Sequence, residues 1–177
     1  MSDHFSFDNP ARFIIGTVGV PGERQFFLQV SDEKTLATFA LEKSQAAALA
    51  ERANELLREI KAHVGEAHLD NAPLSTPIES EFTIGVMSLT WQPDRGTILF
   101  EAREFEESVS EVDDEVSFAT SDRTLTVALT VEHLRGFIRR TQSVVAAGRQ
   151  PCIFCGGPLN PGGHLCPRAN GYRRQVQ

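Results

Sequence analysis

The sequence predicts an α+β fold in which two βββα units, with antiparallel sheet packed on two helices, share one core and carry a small C-terminal tail. Three observations support this. Short segments rich in Phe, Val, Ile and Thr are separated by Pro, Gly and Asp turns, which is typical of antiparallel strands. A segment with helical periodicity follows each third strand. All cysteines stand within the fifteen residues 152–166.

The first predicted unit covers residues 1–68. Its strands are "ARFIIGTVGV", "RQFFLQVS" and "TLATFALE", separated by the turns "PGE" and "DEK". The helix "SQAAALAERANELLREIKAHV" follows, with Ser44 as its predicted N-cap. Apolar residues recur along it at steps of three and four, which predicts one buried stripe formed by Ala46, Leu49, Ala50, Ala53, Leu56, Leu57, Ile60 and Val64.

The second predicted unit covers residues 81–148, after a proline-containing connector at 69–80. Its strands are "FTIGVMSLTW", "TILFEAREF" and "DRTLTVALT", and its helix is "VEHLRGFIRRTQSVVAAG" with Thr130 as the N-cap. The helix has an apolar stripe formed by Leu134, Phe137, Ile138, Thr141, Val144 and Val145.

The two units resemble each other in sequence. Phe13, Ile15 and Gly16 of the first hairpin match Phe82, Ile84 and Gly85 of the second. Three strands and one helix bury little surface alone, so we expect the units to share a core in a pseudo-twofold arrangement. The alternative is a chance recurrence of a common strand and helix order.

Length and composition favour one compact unit with an appendage and exclude a membrane span. The 177 residues are 41% apolar, and no apolar run approaches the roughly 20 residues that cross a bilayer. The start, "MSDHFSFDNP", has no signal-peptide pattern, and we expect a frayed terminus there. Three clustered cysteines do not make a disulfide framework, so the sequence predicts a cytoplasmic protein.

The charge is unevenly distributed. From Arg149 onward there are four arginines and no acid, so residues 1–148 carry 13 basic and 24 acidic groups, a net charge of -11. Such a body repels nucleic acid, which leaves only the tail able to attract it. The acidic stretch 101–115 is expected to be a solvated loop, with a cation site or a docking surface for a basic partner as alternatives.

The tail at residues 149–177 predicts a zinc site. Cys152 and Cys155 have the C-x2-C spacing of a metal knuckle, and His164 and Cys166 complete a Cys3His set. Few apolar residues are present to order this segment, and a tetrahedral Zn2+ supplies the missing folding free energy. Four protein ligands form a closed shell, which favours a structural role over a catalytic one.

Two alternatives to that ligand set remain. The fourth ligand is a residue other than His164, or no metal binds and Cys152 and Cys155 are free thiols or a reversible disulfide. His4, His63, His68 and His133 are expected to be surface or capping residues.

The basic end of the tail, "PRANGYRR", has two interpretations. In the first, Arg168 and Arg173 dock the tail on the acidic body or bind another protein. In the second, this segment binds nucleic acid through phosphate and base contacts.

Two motifs give the chain a family resemblance. Phe13–Leu28 fits F-x-x-G-T-x-G-x-P-G-x-R-x-F-x-L, and Cys152–Gly171 fits C-x-x-C-G-x-P-L-x-P-x-G-H-x-C-P-R-x-N-G. The chain thereby resembles a family of uncharacterised actinobacterial proteins, described as repeat-containing and without established activity. One such protein, ParJ, is suggested to regulate a ParA-type segregation ATPase, so the resemblance implies that a ParJ-like role is an alternative.

The sequence favours a non-enzymatic zinc-binding adaptor with a protein partner. It contains no Ser/His/Asp signature, phosphate loop or paired carboxylates, and "GTVGVPG" is typical of a hairpin turn. The alternatives are nucleic-acid binding through the tail, regulation of a ParA-type ATPase, and a zinc enzyme with an open coordination position.

Overall fold

The structure is an α+β fold with two helices and two sheets. This computed structural model describes residues 3–105, 122–148, 150–157, 159 and 163–168. Its elements in chain order are β1 His4–Asp8, β2 Arg12–Val18, β3 Gln25–Ser31, β4 Leu36–Leu41, α1 Lys43–Glu59, β5 Ile84–Gln92, β6 Thr97–Glu104, β7 Thr124–Leu129 and α2 Val131–Ala146.

Each predicted unit supplies three antiparallel strands and one helix. Strands β2, β3 and β4 form one sheet in that order, with Ile15 opposite Leu28 and Leu28 opposite Phe39. The other sheet has four strands in the order β1-β7-β6-β5, and Leu89 of β5 is opposite Phe100 of β6. Apart from β1, which has no counterpart strand in the second unit, the order of elements in the two units is the same, while their common origin remains a prediction.

Residues His4–Asp8 form strand β1, so the expectation of a frayed end does not hold from His4 onward. Strand β1 pairs in parallel with β7, with Phe5 beside Leu125, and His4 Nδ1 lies 2.6 Å from Thr124 Oγ1. A similar contact joins the segment before β5 to β4 of the first unit, because Ala40 N donates to Phe82 O at 3.0 Å. The segment before each hairpin thus pairs with the last strand of the other unit.

The predicted N-cap residue is confirmed for α2 and was wrong for α1. Thr130 caps α2 as predicted, and its Oγ1 accepts from His133 N at 3.2 Å. Ser44 does not cap α1. A capping box formed by Glu42 and Gln45 satisfies the first turn instead, and Gln45 Oε1 accepts from Glu42 N at 2.8 Å.

Helix α1 also ends earlier than its apolar periodicity predicts. It stops at Glu59, with Ile60 as the C-cap, and Lys61 takes a positive φ of 59°. Val64 lies beyond this end and is 78% exposed, so it does not belong to the buried stripe.

One hydrophobic core contains residues of both sheets and both helices. The aromatic rings of Phe13 from β2, Phe100 from β6 and Phe137 from α2 meet in it, with centroids 5.3 Å and 4.8 Å from that of Phe13. Helix α2 therefore packs on the first strand of the other unit. Neither helix in the described part of the chain combines the length and apolarity needed to cross a bilayer.

The connector is bound to the body by arginines. Arg12 Nε donates to Asp70 Oδ2 at 2.6 Å, and Arg140 Nη1 donates to the carbonyl of Asp70 at 2.7 Å. The hydrogen bond from Arg12 holds the pKa of Asp70 below its ordinary value. The boundaries 1–68, 69–80, 81–148 and 149–177 stay predictions. Of the acidic stretch 101–115, residues 106–115 lie outside the described residues.

Candidate metal centre

A closed backbone turn positions the first two cysteines. Cys152 N donates to Gly157 O at 2.7 Å, and Gly156 N donates to Cys152 O at 2.8 Å. Gly156 has a φ of +73°, which a residue with a side chain adopts only with strain. The C-x2-C-G-G sequence therefore folds into a tight loop with both sulfur atoms on one side.

The four predicted ligand residues come together. The ligand atoms of Cys152, Cys155, His164 and Cys166 all lie within 4.8 Å of one another. Cys152 Sγ is 3.8 Å from Cys166 Sγ, and Cys155 Sγ is 3.2 Å from His164 Nε2. Such a group can hold a metal ion, and the cysteines are free thiols in this arrangement.

These distances suit a tetrahedral ion. A Zn–S bond of about 2.3 Å and a tetrahedral angle separate two sulfur ligands by about 3.8 Å. The distance between Cys152 Sγ and Cys166 Sγ has this value. A sulfur and an imidazole nitrogen on the same ion would be about 3.6 Å apart. The distance between Cys155 Sγ and His164 Nε2 is slightly shorter, so these two pairs of ligand atoms fit such an ion with a small adjustment.

Backbone amides point at two of the sulfur atoms. Phe154 N donates to Cys152 Sγ at 3.4 Å, and Gly157 N donates to Cys155 Sγ at the same distance. Hydrogen bonds from the amides of Cys155 and Phe154 lower the pKa of the Cys152 thiol.

The pKa of the second cysteine of the loop, Cys155, is shifted in the opposite direction. The Gly157 amide favours the Cys155 thiolate, but burial and the neighbouring sulfur atoms outweigh it and raise the pKa of Cys155. Thiolates this close together repel one another unless a cation lies between them.

The centre has a buried inner side and an exposed outer side. Cys152 and Cys166 are each 6% exposed. His164 Nδ1 is buried and has no hydrogen-bond partner among the described residues. In contrast, Ile153, Phe154 and Leu165 are 88%, 57% and 86% exposed. We call these three residues the apolar tip.

The apolar tip was not identified as a surface from the sequence. These side chains are the residues between the ligand pairs, Ile153 and Phe154 inside C-x2-C and Leu165 inside H-x-C. Spacings of two residues and one residue leave the intervening side chains no room inside the ligand shell. These short spacings were therefore the signal in the sequence that the three side chains point outward.

The other predicted site features lie elsewhere or contact the tail itself. Arg168 Nη1 donates to Phe154 O at 3.3 Å, which is a contact within the tail. Arg173 lies outside the described residues. His133 Nδ1 lies 3.1 Å from the capping Thr130 Oγ1, and the His133 ring is 4.3 Å from that of His68. The described residues therefore offer one Cys/His metal group, at the predicted positions.

The comparison with family models gives one match. A model described as "Protein of unknown function (DUF3090)" matches residues 5–166, which include both sheets and all four residues of the metal group. No curated protein and no solved structure matches the chain.

Proposed function

This chain belongs to the DUF3090 family, and we propose that it is a non-enzymatic, zinc-binding adaptor that acts through protein–protein contact. The observation that carries the proposal is the convergence of Cys152, Cys155, His164 and Cys166 on one point. Three soft thiolates and one imidazole form a donor set that suits zinc better than oxygen-seeking cations such as magnesium or calcium.

A structural role for the ion follows from the number of ligands. A catalytic zinc keeps one position for water or substrate and takes three protein ligands. Four ligand atoms within 4.8 Å of one another leave no such position. The alternative of a zinc enzyme therefore requires that one of the four residues, such as His164, is not a ligand.

The ion would act by ordering the tail. Bound zinc supplies folding free energy to a segment that buries few apolar groups of its own. The chelate loops then hold Ile153, Phe154 and Leu165 outward, where they are exposed. An ordered apolar surface on a small metal-bound loop supports contact with another protein.

Nucleic-acid binding is the second candidate, because the tail carries four arginines and no acid. Two features weigh against it. The surface next to Arg168 is apolar, and residues 1–148 carry a net charge of -11, which repels phosphate. Phosphate contacts weaken steeply with salt, so duplex and single-stranded probes that fail to bind at low salt would eliminate this candidate.

The family resemblance supplies further parts of the proposal. It suggests a ParA-type segregation ATPase as a candidate partner, an actinobacterial origin and a common ancestor for the two units. A cytoplasmic location agrees with cysteines reserved for a metal, since thiols stay reduced there.

The zinc content of purified protein tests the proposal. We expect one zinc per chain, lost in Cys155→Ser while the body keeps its cooperative unfolding transition. Leu165→Ser is the matched control, because Leu165 lies between two ligands but supplies no ligand atom; it should keep its zinc. Absence of zinc from protein expressed with ample metal, or full zinc retention in Cys155→Ser, would refute the proposal.

X-ray absorption at the zinc edge tests the ligand set. Three sulfur scatterers at about 2.3 Å and one nitrogen at about 2.0–2.1 Å are expected. In His164→Ala the nitrogen should be replaced by a water oxygen or lost. An unchanged spectrum would show that the fourth ligand is another residue.

A further inference from the structure

The body has a groove lined in part by small apolar side chains. It has a volume of about 440 Å3 and runs between α1 and α2. Its walls contain the small side chains of Ala47, Ala50 and Ala146 together with Val145. Small residues on both helices leave space between them that bulky side chains of another molecule can fill.

The groove and the tail also differ in charge. Glu51, Glu55 and Arg58 line the groove, and Glu55 is 3.4 Å from the guanidinium of Arg52. Glu51 has no ion-pair partner among the residues that the structure describes. The tail has only positive charges, of which Arg168 lies two residues after Cys166. Opposite charges around an apolar contact favour this pairing and fix its orientation.

We propose that the apolar tip of one chain docks in the α1/α2 groove of a second copy, which makes the protein a reciprocal homodimer. The inference rests on the proposed function, since the metal-bound loops present the tip. Within its own chain the tip is exposed, so its own groove does not cover it.

The position of both surfaces suits a twofold pair. Val145 and Ala146, at the end of α2, line the groove, and the tail starts a few residues later. In a twofold pair a contact between the tip of one chain and the groove of the other forms twice. The three tip side chains expose roughly 400 Å2 between them, and two such contacts with the matching groove surfaces reach the size of a standard interface.

Sedimentation velocity over a concentration series of the full-length, zinc-loaded protein measures the dimer. The tip variant Ile153→Ser/Leu165→Ser and the groove variant Ala47→Arg should each weaken dimerisation by about tenfold or more. Val86→Ser is the matched control, because Val86 is a 69% exposed valine on β5, outside both surfaces. Urea unfolding establishes that each variant is folded, and Glu51→Lys replaces Ala47→Arg if the latter is not.

Mixing the variants tests which surfaces meet. The tip variant and the groove variant should be mainly monomeric alone and form a heterodimer together, because one intact tip and one intact groove remain. A charge exchange gives a second test. Arg168→Glu and Glu51→Arg should each weaken the dimer, and the double variant should recover it.

Three results would overturn the inference: a monomer at all concentrations, a dimer insensitive to both surfaces, or a dimer lost in Val86→Ser. A monomeric chain that binds zinc and captures another protein through the tip would retain the proposed function and refute the homodimer alone. A wild-type chain that binds no zinc would refute both the proposed function and the homodimer.

Discussion

Gly136 in α2 allows the chain at His68, which follows α1, to cross the helix, and its replacement by alanine tests this contact. A Cβ at this position would overlap the carbonyl oxygen of His68 and lie 2.6 Å from its carbonyl carbon. The obstacle is backbone, so a rotamer change does not relieve it. His68 N donates to Glu132 O at 2.9 Å, and Arg135 Nη2 donates to Ala62 O at 2.7 Å, so the crossing segment is held on both sides.

The expected loss in stability follows from opposing effects. Alanine in place of glycine favours a helix by about 1 kcal/mol. Overpacking costs about 1–3 kcal/mol, and displacement of the crossing segment sacrifices hydrogen bonds worth about 1 kcal/mol each. The net expectation for Gly136→Ala is a loss of about 2 kcal/mol in the free energy of unfolding, because the steric effect outweighs helix propensity.

Urea unfolding of full-length protein measures this change. The midpoint should fall at an unchanged m-value. Ser143→Ala, an exposed substitution in the same helix, is the control and should change stability by less than about 0.5 kcal/mol. Gly136→Ala protein that is more stable by about 1 kcal/mol would show that propensity alone acts there and that the backbone of His68 does not lie this close to α2.

Two further predictions concern helix ends and pH. Thr130→Ala should cost about 1 kcal/mol because it removes the cap of α2, whereas Ser44→Ala should be nearly neutral; equal losses in urea unfolding would contradict the capping box at Glu42. Burial, with the charge of His68 second, lowers the pKa of His133 below 6.5. Its contribution to stability is therefore complete above pH 6.5 and is lost as the pH falls through the lowered pKa. His133→Gln should flatten the pH dependence of the unfolding free energy as the pH falls below 6.5, and an unchanged slope would assign that dependence to other groups.

Local sequence patterns predicted the metal group and most strands. The features that they did not predict depend on contacts between residues far apart in the sequence. Cys152, Cys155, His164 and Cys166 are close in sequence, so their spacing alone predicts their meeting. Strand β1 alternates apolar and polar residues in "HFSFD", but its pairing partner β7 begins 120 residues after His4, which no local pattern reveals.

The start of α1 had a local signal that was misinterpreted. Glu42 and Gln45 are spaced as a capping box, yet Ser44 is the more common type of cap residue. Tertiary contacts favour the box, because Gln45 Nε2 also donates to the carbonyls of Ile84 and Gly85 at 3.0 Å and 3.1 Å. The end of α1 likewise depends on Arg135, which donates to the carbonyls of Ala62 and Val64 beyond the last turn.

The exchange of leading segments between the two halves makes them interdependent. Because β1 lies beside β7 and Phe82 lies beside β4, each half contains an edge that belongs to the other. A protease cut in the connector would therefore leave two pieces held together by these pairings, and the second piece made alone would lack β1 from its four-stranded sheet. The two units therefore depend on each other for the pairing of their strand edges.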